Sequence, residues 1–390
     1  MISIHTAFEI LDKNIFPCPE EIVSLYESLN RVASEDIRSP IEVPSFDNSA
    51  MDGYAFRIQN LEKFQKLKVK DEVQAGVASL PELEEGTAIR ILTGAPIPKN
   101  ADTVVPQEDV TLRDGFLFLK KEIQQGTNIR KKGTQTKKGN LALKKHTKIT
   151  AEIIGFLATL GIHELPVFSK PKVGIIVTGK ELVPLGKELK SYQIYESNSV
   201  FLRAALQTLD IETSFSFWAD DEAVSLKMMV AEHAKNVDVL LFTGGISVGD
   251  YDFIKPVLEQ LGVREYFYKI KQKPGKPFYF GFLDKTTVFA LPGNPAAVAT
   301  CFHIYVKPYL SLMMGVAKTK KEQAILLNEY RKKAGLTHFV KAFAENNKVE
   351  ILQNQSSYQM DSFSKANALA VLREEQDYFQ IGENIEIIKL

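Results

Sequence analysis

Three times between residues 173 and 295 an apolar run ends in a turn rich in glycine or proline. Val173-Gly-Ile-Ile-Val177 leads into Thr178-Gly179, Val237-Asp-Val-Leu-Leu-Phe242 into Thr243-Gly244-Gly245, and Thr287-Val-Phe-Ala-Leu291 into Pro292-Gly-Asn-Pro295, with helical patterns following or intervening. Strands this apolar need cover on both faces, which helices flanking a parallel sheet provide. The chain is therefore expected to hold an α/β domain with a mainly parallel sheet. Loops at the carboxyl ends of such strands gather on one edge, where ligands bind, so three turns far apart in sequence should converge.

At 390 residues there is room for roughly two to four domains, and the texture changes on either side of this pattern. Residues 4–14 and 19–29 carry apolar residues at helical spacing (Ala7, Ile10, Leu11; Ile22, Leu25, Leu29), and Pro19-Glu20-Glu21 suits a helix start, so a helical hairpin is expected. Another helix is expected over 150–161, capped by Thr150 and stopped by Gly161. Between them, over residues 39–136, come short β-prone runs such as Ala88-Ile-Arg-Ile-Leu92, Thr103-Val-Val105 and Gly115-Phe-Leu-Phe-Leu119. They predict a small β-domain inserted into a helical one. The charged stretch Lys318-Thr-Lys-Lys-Glu322 has the composition of a linker, and the alternating runs after it, from His338 to Leu390, predict a terminal β-domain.

Forty-eight Lys and Arg against 48 Asp and Glu leave no net charge, so no global field draws the chain to nucleic acid or an anionic membrane, and any anion site is local. Cys18 and Cys301 are far apart, and there is no CxxC or Cys/His cluster for zinc, which suits a reducing compartment. The amino terminus lacks a basic and an apolar targeting region, and no run approaches a membrane span, so a cytoplasmic location is expected. The six histidines stand singly, and G-x-S-x-G, Walker A and strand-borne G-x-G-x-x-G are missing. These gaps argue against a serine hydrolase, a P-loop NTPase and an ordinary dinucleotide oxidoreductase.

The sharpest local motif is Thr243-Gly-Gly-Ile-Ser-Val-Gly-Asp-Tyr-Asp252. Gly244, Gly245 and Gly249 let amides approach a phosphate, Ser247 adds a hydroxyl, and Asp250 and Asp252 suit Mg²⁺ or a nucleophile; a glycine turn with solvated carboxylates is the competing account. Lys271-Gln-Lys-Pro-Gly-Lys-Pro277 sets Lys273 and Lys276 around a bend whose prolines fix the backbone, which suits an anion. Pro292, Gly293, Asn294 and Pro295 open a helix whose dipole and free amides would favour an oxyanion. Glu181 stands just beyond the first strand; Ser197 or Asn198 suits a helix cap, and Asp220 and Asp221 suit a metal site or a cap equally well. In the insertion, the loop carrying Asp47, Asn48, Ser49 and Asp52, with Leu92-Thr-Gly-Ala-Pro-Ile-Pro98 and Gly126-Thr-Asn-Ile-Arg-Lys-Lys-Gly133, has the makings of one wall of an anionic-ligand cleft.

Together, Phe46-Asp-Asn-Ser-Ala-Met-Asp-Gly-Tyr-Ala55, Thr93-Gly-Ala-Pro96, Asn128-Ile-Arg130, Thr243-Gly-Gly-Ile-Ser-Val-Gly249, Lys273-Pro-Gly-Lys-Pro277 and Leu291-Pro-Gly-Asn-Pro295 resemble, in this order, the molybdopterin molybdenumtransferase family over nearly the whole chain. The resemblance implies a helical elongated domain (1–38 and 137–170), an inserted β-domain (39–136), a molybdopterin-binding, adenylyltransferase-like α/β domain (171–318) and a C-terminal β-barrel (319–390). It implies conversion of adenylylated molybdopterin and molybdate, with Mg²⁺, to molybdenum cofactor and AMP, in a homodimer fed by a molybdopterin adenylyltransferase. Neither nucleic acid nor membrane is an expected partner. On this resemblance Asp252, with Asp221 or Glu181, holds the metal, and Lys273 and Lys276 hold molybdate or pyrophosphate oxygens. Ser49, Gly244, Gly245, Ser247, Gly249 and residues Pro292 to Pro295 line the substrate site, and Asp52 with Thr93 completes it from the partner subunit.

Two positions depart from the family pattern: Gln135 and Lys180 stand where acidic residues are usual, which bears on the metal ligand set. The related alternatives are molybdopterin adenylylation, hydrolysis of a nucleotide pyrophosphate, and a dimeric peptide-binding scaffold like the carboxy-terminal domain of gephyrin.

Overall fold

The computed structural model describes residues 1–219, 223–246, 253–318 and 321–390. They form two compact units, one made of Met1–Glu21, Asn30–Ser34 and Val167–Leu390, the other of Ile22–Leu29 and Glu35–Pro166.

In the first unit a six-stranded sheet runs in the order Thr213–Ala219, Val173–Thr178, Val239–Thr243, Thr286–Leu291, Pro277–Leu283, Arg264–Lys269. The first four strands are parallel and the last two antiparallel, so the sheet is mainly parallel, as expected, with an antiparallel edge. The period of two in a strand sends alternate residues to opposite faces. Ile175, Val177, Leu241 and Leu291 enter one core, while Ile176, Leu240, Phe242 and Val288 enter another, which is why these runs are apolar throughout. Burying each such side chain contributes about 1.5–3 kcal/mol.

The helix Ile4–Lys13 forms as the spacing predicts, with Ser3 Oγ accepting from Thr6 N at 3.1 Å. Its buried residues, Ala7 and Leu11, belong to the first α/β core, so the helix groups with that domain and not with the insertion. The expected second helix over 19–29 is not formed. Glu20–Ser24 is a strand, followed by a turn closed by Ser24 Oγ donating to Glu27 Oε2 at 2.7 Å. Ile22 and Leu29 are exposed, so the helical stripe has no surface to bury against, and the β-branched pair Ile22-Val23 takes an extended conformation.

Five strands at the carboxyl end close on themselves in the order Thr337–Glu345, Lys348–Ile351, Glu322–Leu326, Asn384–Lys389, Ala368–Leu372 and back to Thr337–Glu345. Closure removes exposed edges and encloses Val340, Ala342, Val349, Ile351, Leu372 and Ile385. The short strand Gln272–Lys273 lies parallel to Thr337 and His338, tying the lysine-bearing bend of the α/β domain to this barrel.

The second unit holds a six-stranded sheet in the order Thr103–Pro106, Gly53–Phe56, Thr87–Ile91, Leu67–Val73, Phe116–Leu119, Val110–Arg113, which accounts for the β-prone runs. The helix Ala151–Thr159 follows its predicted cap, Thr150 Oγ1 accepting from Ile153 N at 3.4 Å. Among the described residues no helix is long and apolar enough to cross a membrane.

One buried cation organises the barrel's longest turn. Lys341 is 3% exposed, and its Nζ donates to the carbonyls of Asn354 at 2.7 Å, Gln359 at 3.1 Å and Ser356 at 3.3 Å. Gln355 clamps the same residue from outside, accepting from Lys341 N and donating to Lys341 O, both at 2.9 Å. An ammonium has three donors, and here each meets a carbonyl. Replacing it in Lys341→Met strands those acceptors, and urea unfolding should show a loss of about 2–4 kcal/mol, with faster hydrogen exchange over residues 352–362.

Candidate active site

The strands Val173–Thr178, Val239–Thr243 and Thr286–Leu291 are neighbours, and one side chain joins the ends of the last two. Buried Asn198 donates through Nδ2 to Thr243 Oγ1 and to the Gly293 carbonyl, each at 2.8 Å. Ser197 makes no capping bond for the helix Asn198–Gln207. Glu196 takes that part instead, accepting from Ser199 N at 2.8 Å and Ser199 Oγ at 2.6 Å, which leaves Asn198 for the loops. The close approach also requires Gly244: its φ is +85°, and a Cβ there would lie 2.2 Å from the Thr178 carbonyl oxygen.

A cleft of about 990 Å³ opens over these loops, lined by Thr178, Lys180, Glu181, Asn198, Gly244, Gly245, Pro295 and Tyr358 among others. At its floor Thr178 Oγ1 and Asn198 Oδ1 are buried without a hydrogen-bond partner among the described residues. Leaving such a group unpaired costs about 1–3 kcal/mol, and both belong to residues that line this cleft. The exposed Glu181 lines the same cleft. No group of three or more His, Cys, Asp or Glu suited to a metal occurs among the described residues.

A second cleft, of about 430 Å³, shares Ile246, Gly293 and Asn294 with the first. It is lined by Lys273 and Lys276, by Pro292, Gly293 and Asn294, and by Gln355 and Ser357 of the C-terminal domain. His338 pairs with Lys273 across the strand register. Burial, then the charges of Lys332 and Lys273, push the imidazole down to about 4, so it is neutral at pH 7. The positive charge lining this cleft therefore comes from the two lysines.

The opening of the helix Pro295–Cys301 differs from expectation. Pro295 has no amide hydrogen, Ala296 N donates to the Ser357 carbonyl at 2.9 Å, and Ala297 N donates to the Asn294 carbonyl at 2.9 Å. The helix amides predicted to be free for an oxyanion are thus taken by the protein itself. The amides of Gly293 and Asn294 are the ones left without a partner among the described residues, and Asn294 Nδ2 is held by Ser357 Oγ at 3.0 Å.

In the second unit Asp52 and Thr93 do meet. Asp52 Oδ1 accepts from Thr93 Oγ1 and from Thr93 N, both at 2.7 Å. The hydroxyl first, the amide next and then the charge of Arg90 hold this carboxyl below its ordinary 3.8. Asp47 accepts from Lys131 Nζ at 2.9 Å and Lys132 N at 2.8 Å, which absorbs part of the basic triplet. Ser49 is fully buried and its Oγ donates to the Met51 carbonyl at 2.6 Å, bracing the turn. Gln135 N donates to the Val43 carbonyl at 2.9 Å in an exposed turn.

Asp220, Asp221, Ser247, Gly249, Asp250 and Asp252 lie outside the described residues. Sequence reasoning missed Gln272, Gln355, Ser357, Tyr358 and Lys341. The polar run Gln353-Asn-Gln-Ser-Ser357 resembles any turn, and only the fold brings it to the α/β loops.

Three family models match consecutive parts of the chain: MoeA N-terminal region (domain I and II) over residues 2–161, probable molybdopterin binding domain over 174–312, and MoeA C-terminal region (domain IV) over 323–390. A molybdopterin molybdenumtransferase of Haemophilus influenzae is 37% identical over 389 residues, covering 97% of this chain and 96% of the relative. The Bacillus subtilis protein of the same name is 33% identical, covering 94% and 89%. A crystal structure of a molybdopterin biosynthesis MoeA protein from Pyrococcus horikoshii superposes with a TM-score of 0.87 at 32% identity, covering 100% of this chain and 99% of that one.

Asn198→Ala should destabilise the loops by about 1–3 kcal/mol, seen as faster hydrogen exchange at residues 243–246 and 292–294 while the barrel strands stay protected. For Asp52 the folded value is depressed, so its grip on Thr93 is present above the ordinary carboxylate range and lost only as pH falls through the lowered value. The Thr93 amide resonance, followed by NMR from pH 7 downward, should titrate with a midpoint below the ordinary 3.8.

Proposed function

The chain belongs to the molybdopterin molybdenumtransferase family and acts as a transferase in molybdenum cofactor biosynthesis, and from that premise we propose that it inserts molybdate into adenylylated molybdopterin with Mg²⁺-dependent release of AMP. The observation that carries this reading is the smaller cleft: Lys273 and Lys276 line it together with Gly293 and Asn294, whose amides are unpaired among the described residues. A tetrahedral oxyanion with a charge of about −2 needs such cations and donors close together, since repulsion from neighbouring phosphates is otherwise unopposed. The larger cleft has the size for a pterin and nucleotide bridged by phosphates.

Magnesium fits the oxygen donors of the larger cleft, because hard cations prefer oxygen ligands. We assign it to Asp252 with Asp221 or Glu181, of which Glu181 lines that cleft. When bound, it offsets charge on the phosphoanhydride oxygens. The protein's own groups do the rest. Gly244 and Gly245 let backbone approach the phosphates, Asn198 ties the loop after Thr243 to the loop at Gly293, and Lys273 with Lys276 holds molybdate or the pyrophosphate oxygens. In a homodimer, Asp52 and Thr93 of the partner subunit complete the site. A molybdopterin adenylyltransferase supplies the substrate, and the reaction takes place in the cytoplasm. The match of all three family regions along the chain favours this reading over adenylylation, for which an α/β domain alone suffices.

AMP release from adenylylated molybdopterin, with molybdate and Mg²⁺ withheld in turn, tests the proposal. Release should require both, and Lys273→Ala and Lys276→Ala should each lower turnover about tenfold or more with the melting temperature unchanged. Release without molybdate would instead indicate a nucleotide pyrophosphatase. No release from a folded protein that binds peptide saturably would indicate a scaffold.

A further inference from the structure

Beneath the two lysines lies a polar side chain that the reaction as described does not use. Gln272 is fully buried, with 0% of its surface exposed. Its Nε2 donates to the carbonyls of Pro274 at 3.1 Å and Gly275 at 3.0 Å and approaches Cys301 Sγ at 3.6 Å, while its Oε1 accepts from the Tyr305 hydroxyl. The orientation is fixed by chemistry, because two carbonyl oxygens can face only the NH₂ end of a carboxamide. The bend between Lys273 and Lys276 is therefore wrapped around this group. Its base is closed by Ile270 N donating to the Lys276 carbonyl at 3.0 Å. Its tip has no room to shift toward the core: Gly275 has a φ of +81°, and a Cβ there would lie 2.4 Å from Cys301 Sγ and 3.0 Å from Gln272 Nε2.

We propose that Gln272 is a positioning residue for the oxyanion subsite, the buried carboxamide that holds Lys273 and Lys276 at the separation and direction in which they meet molybdate. An apolar side chain would fill the space without the cost of burying an amide. The amide is useful because it supplies donors to two inward-facing carbonyls of the bend, which otherwise would have to turn toward water and carry the lysine backbones with them. Tyr305, itself 1% exposed, fixes the other end of the carboxamide. The inference rests on the reading of the lysine bend as the molybdate site.

Gln272→Met removes the donors at similar volume, and Gln272→Glu keeps the acceptor for Tyr305 while placing an oxygen against two carbonyls. Both should raise the KM for molybdate about tenfold while kcat stays within about twofold. Hydrogen exchange over residues 270–277 should quicken, with the barrel strands unchanged. Tyr305→Phe, which spares the two donors, should raise KM by about threefold and serves if the first variants do not fold. A lowered melting temperature with an unchanged molybdate KM would reduce Gln272 to a packing role and overturn the proposal, as would wild-type exchange at 270–277 in Gln272→Met. If the wild-type protein shows neither turnover nor molybdate binding, the reading of the site fails, and the exchange data alone still decide whether Gln272 holds the bend.

Discussion

Between the loops that leave Thr178 and Thr243 there is no space for a side chain: a Cβ at position 244 would stand 2.2 Å from the Thr178 carbonyl oxygen. Parallel neighbours are about 4.8 Å apart, so two loops leaving adjacent strands must either splay or interleave. Gly244 allows them to interleave, and Asn198 then fastens Thr243 to Gly293. The outcome is a floor made of backbone, close enough for a ligand to reach amides and carbonyls that side chains would otherwise cover. The same tightness leaves Thr178 Oγ1 and Asn198 Oδ1 inside without partners. That is a standing cost of about 1–3 kcal/mol for each group.

A chain with no net charge cannot rely on long-range attraction to gather an oxyanion. Local geometry has to supply it. The two lysines of the smaller cleft stand on a bend fixed by prolines at 274 and 277 and by a buried amide beneath. Neighbouring His338 adds no charge at neutral pH, because burial and the lysines around it keep it unprotonated. Each flexible ammonium carries about 2 kcal/mol of rotamer entropy, so a rigid backbone lowers the ordering cost of binding even though the side chains still move.

The α/β core was legible because its signal is a period: runs such as Val173-Gly-Ile-Ile-Val177 are apolar on both faces only when both faces are covered. The site was legible where glycine and proline mark the backbone, as at Gly244 and in Lys273-Pro-Gly-Lys-Pro277. Spacing misled at 19–29, where Ile22, Leu25 and Leu29 fit a helix in the sequence but find no hydrophobic surface in the fold. Pattern was silent on single polar residues in the interior. Gln272 and Lys341 resemble surface residues in the sequence, and only tertiary contacts reveal that one faces two carbonyls and the other three. Ser49 is a further case, since nothing in its polar loop signals that its hydroxyl is buried on the Met51 carbonyl.

The C-terminal barrel supplies the cap for the helix that starts at Pro295. Ser357 occupies that position with its carbonyl on Ala296 N and its hydroxyl on Asn294 Nδ2. Ser357 is in turn set by the turn that Lys341 gathers from within the barrel. With that terminus capped, the remaining donors are the amides of Gly293 and Asn294, which line the smaller cleft together with Lys273 and Lys276. The barrel therefore closes the helix terminus and leaves the unpaired amides beside the cations, in a cleft that shares Ile246, Gly293 and Asn294 with the larger one.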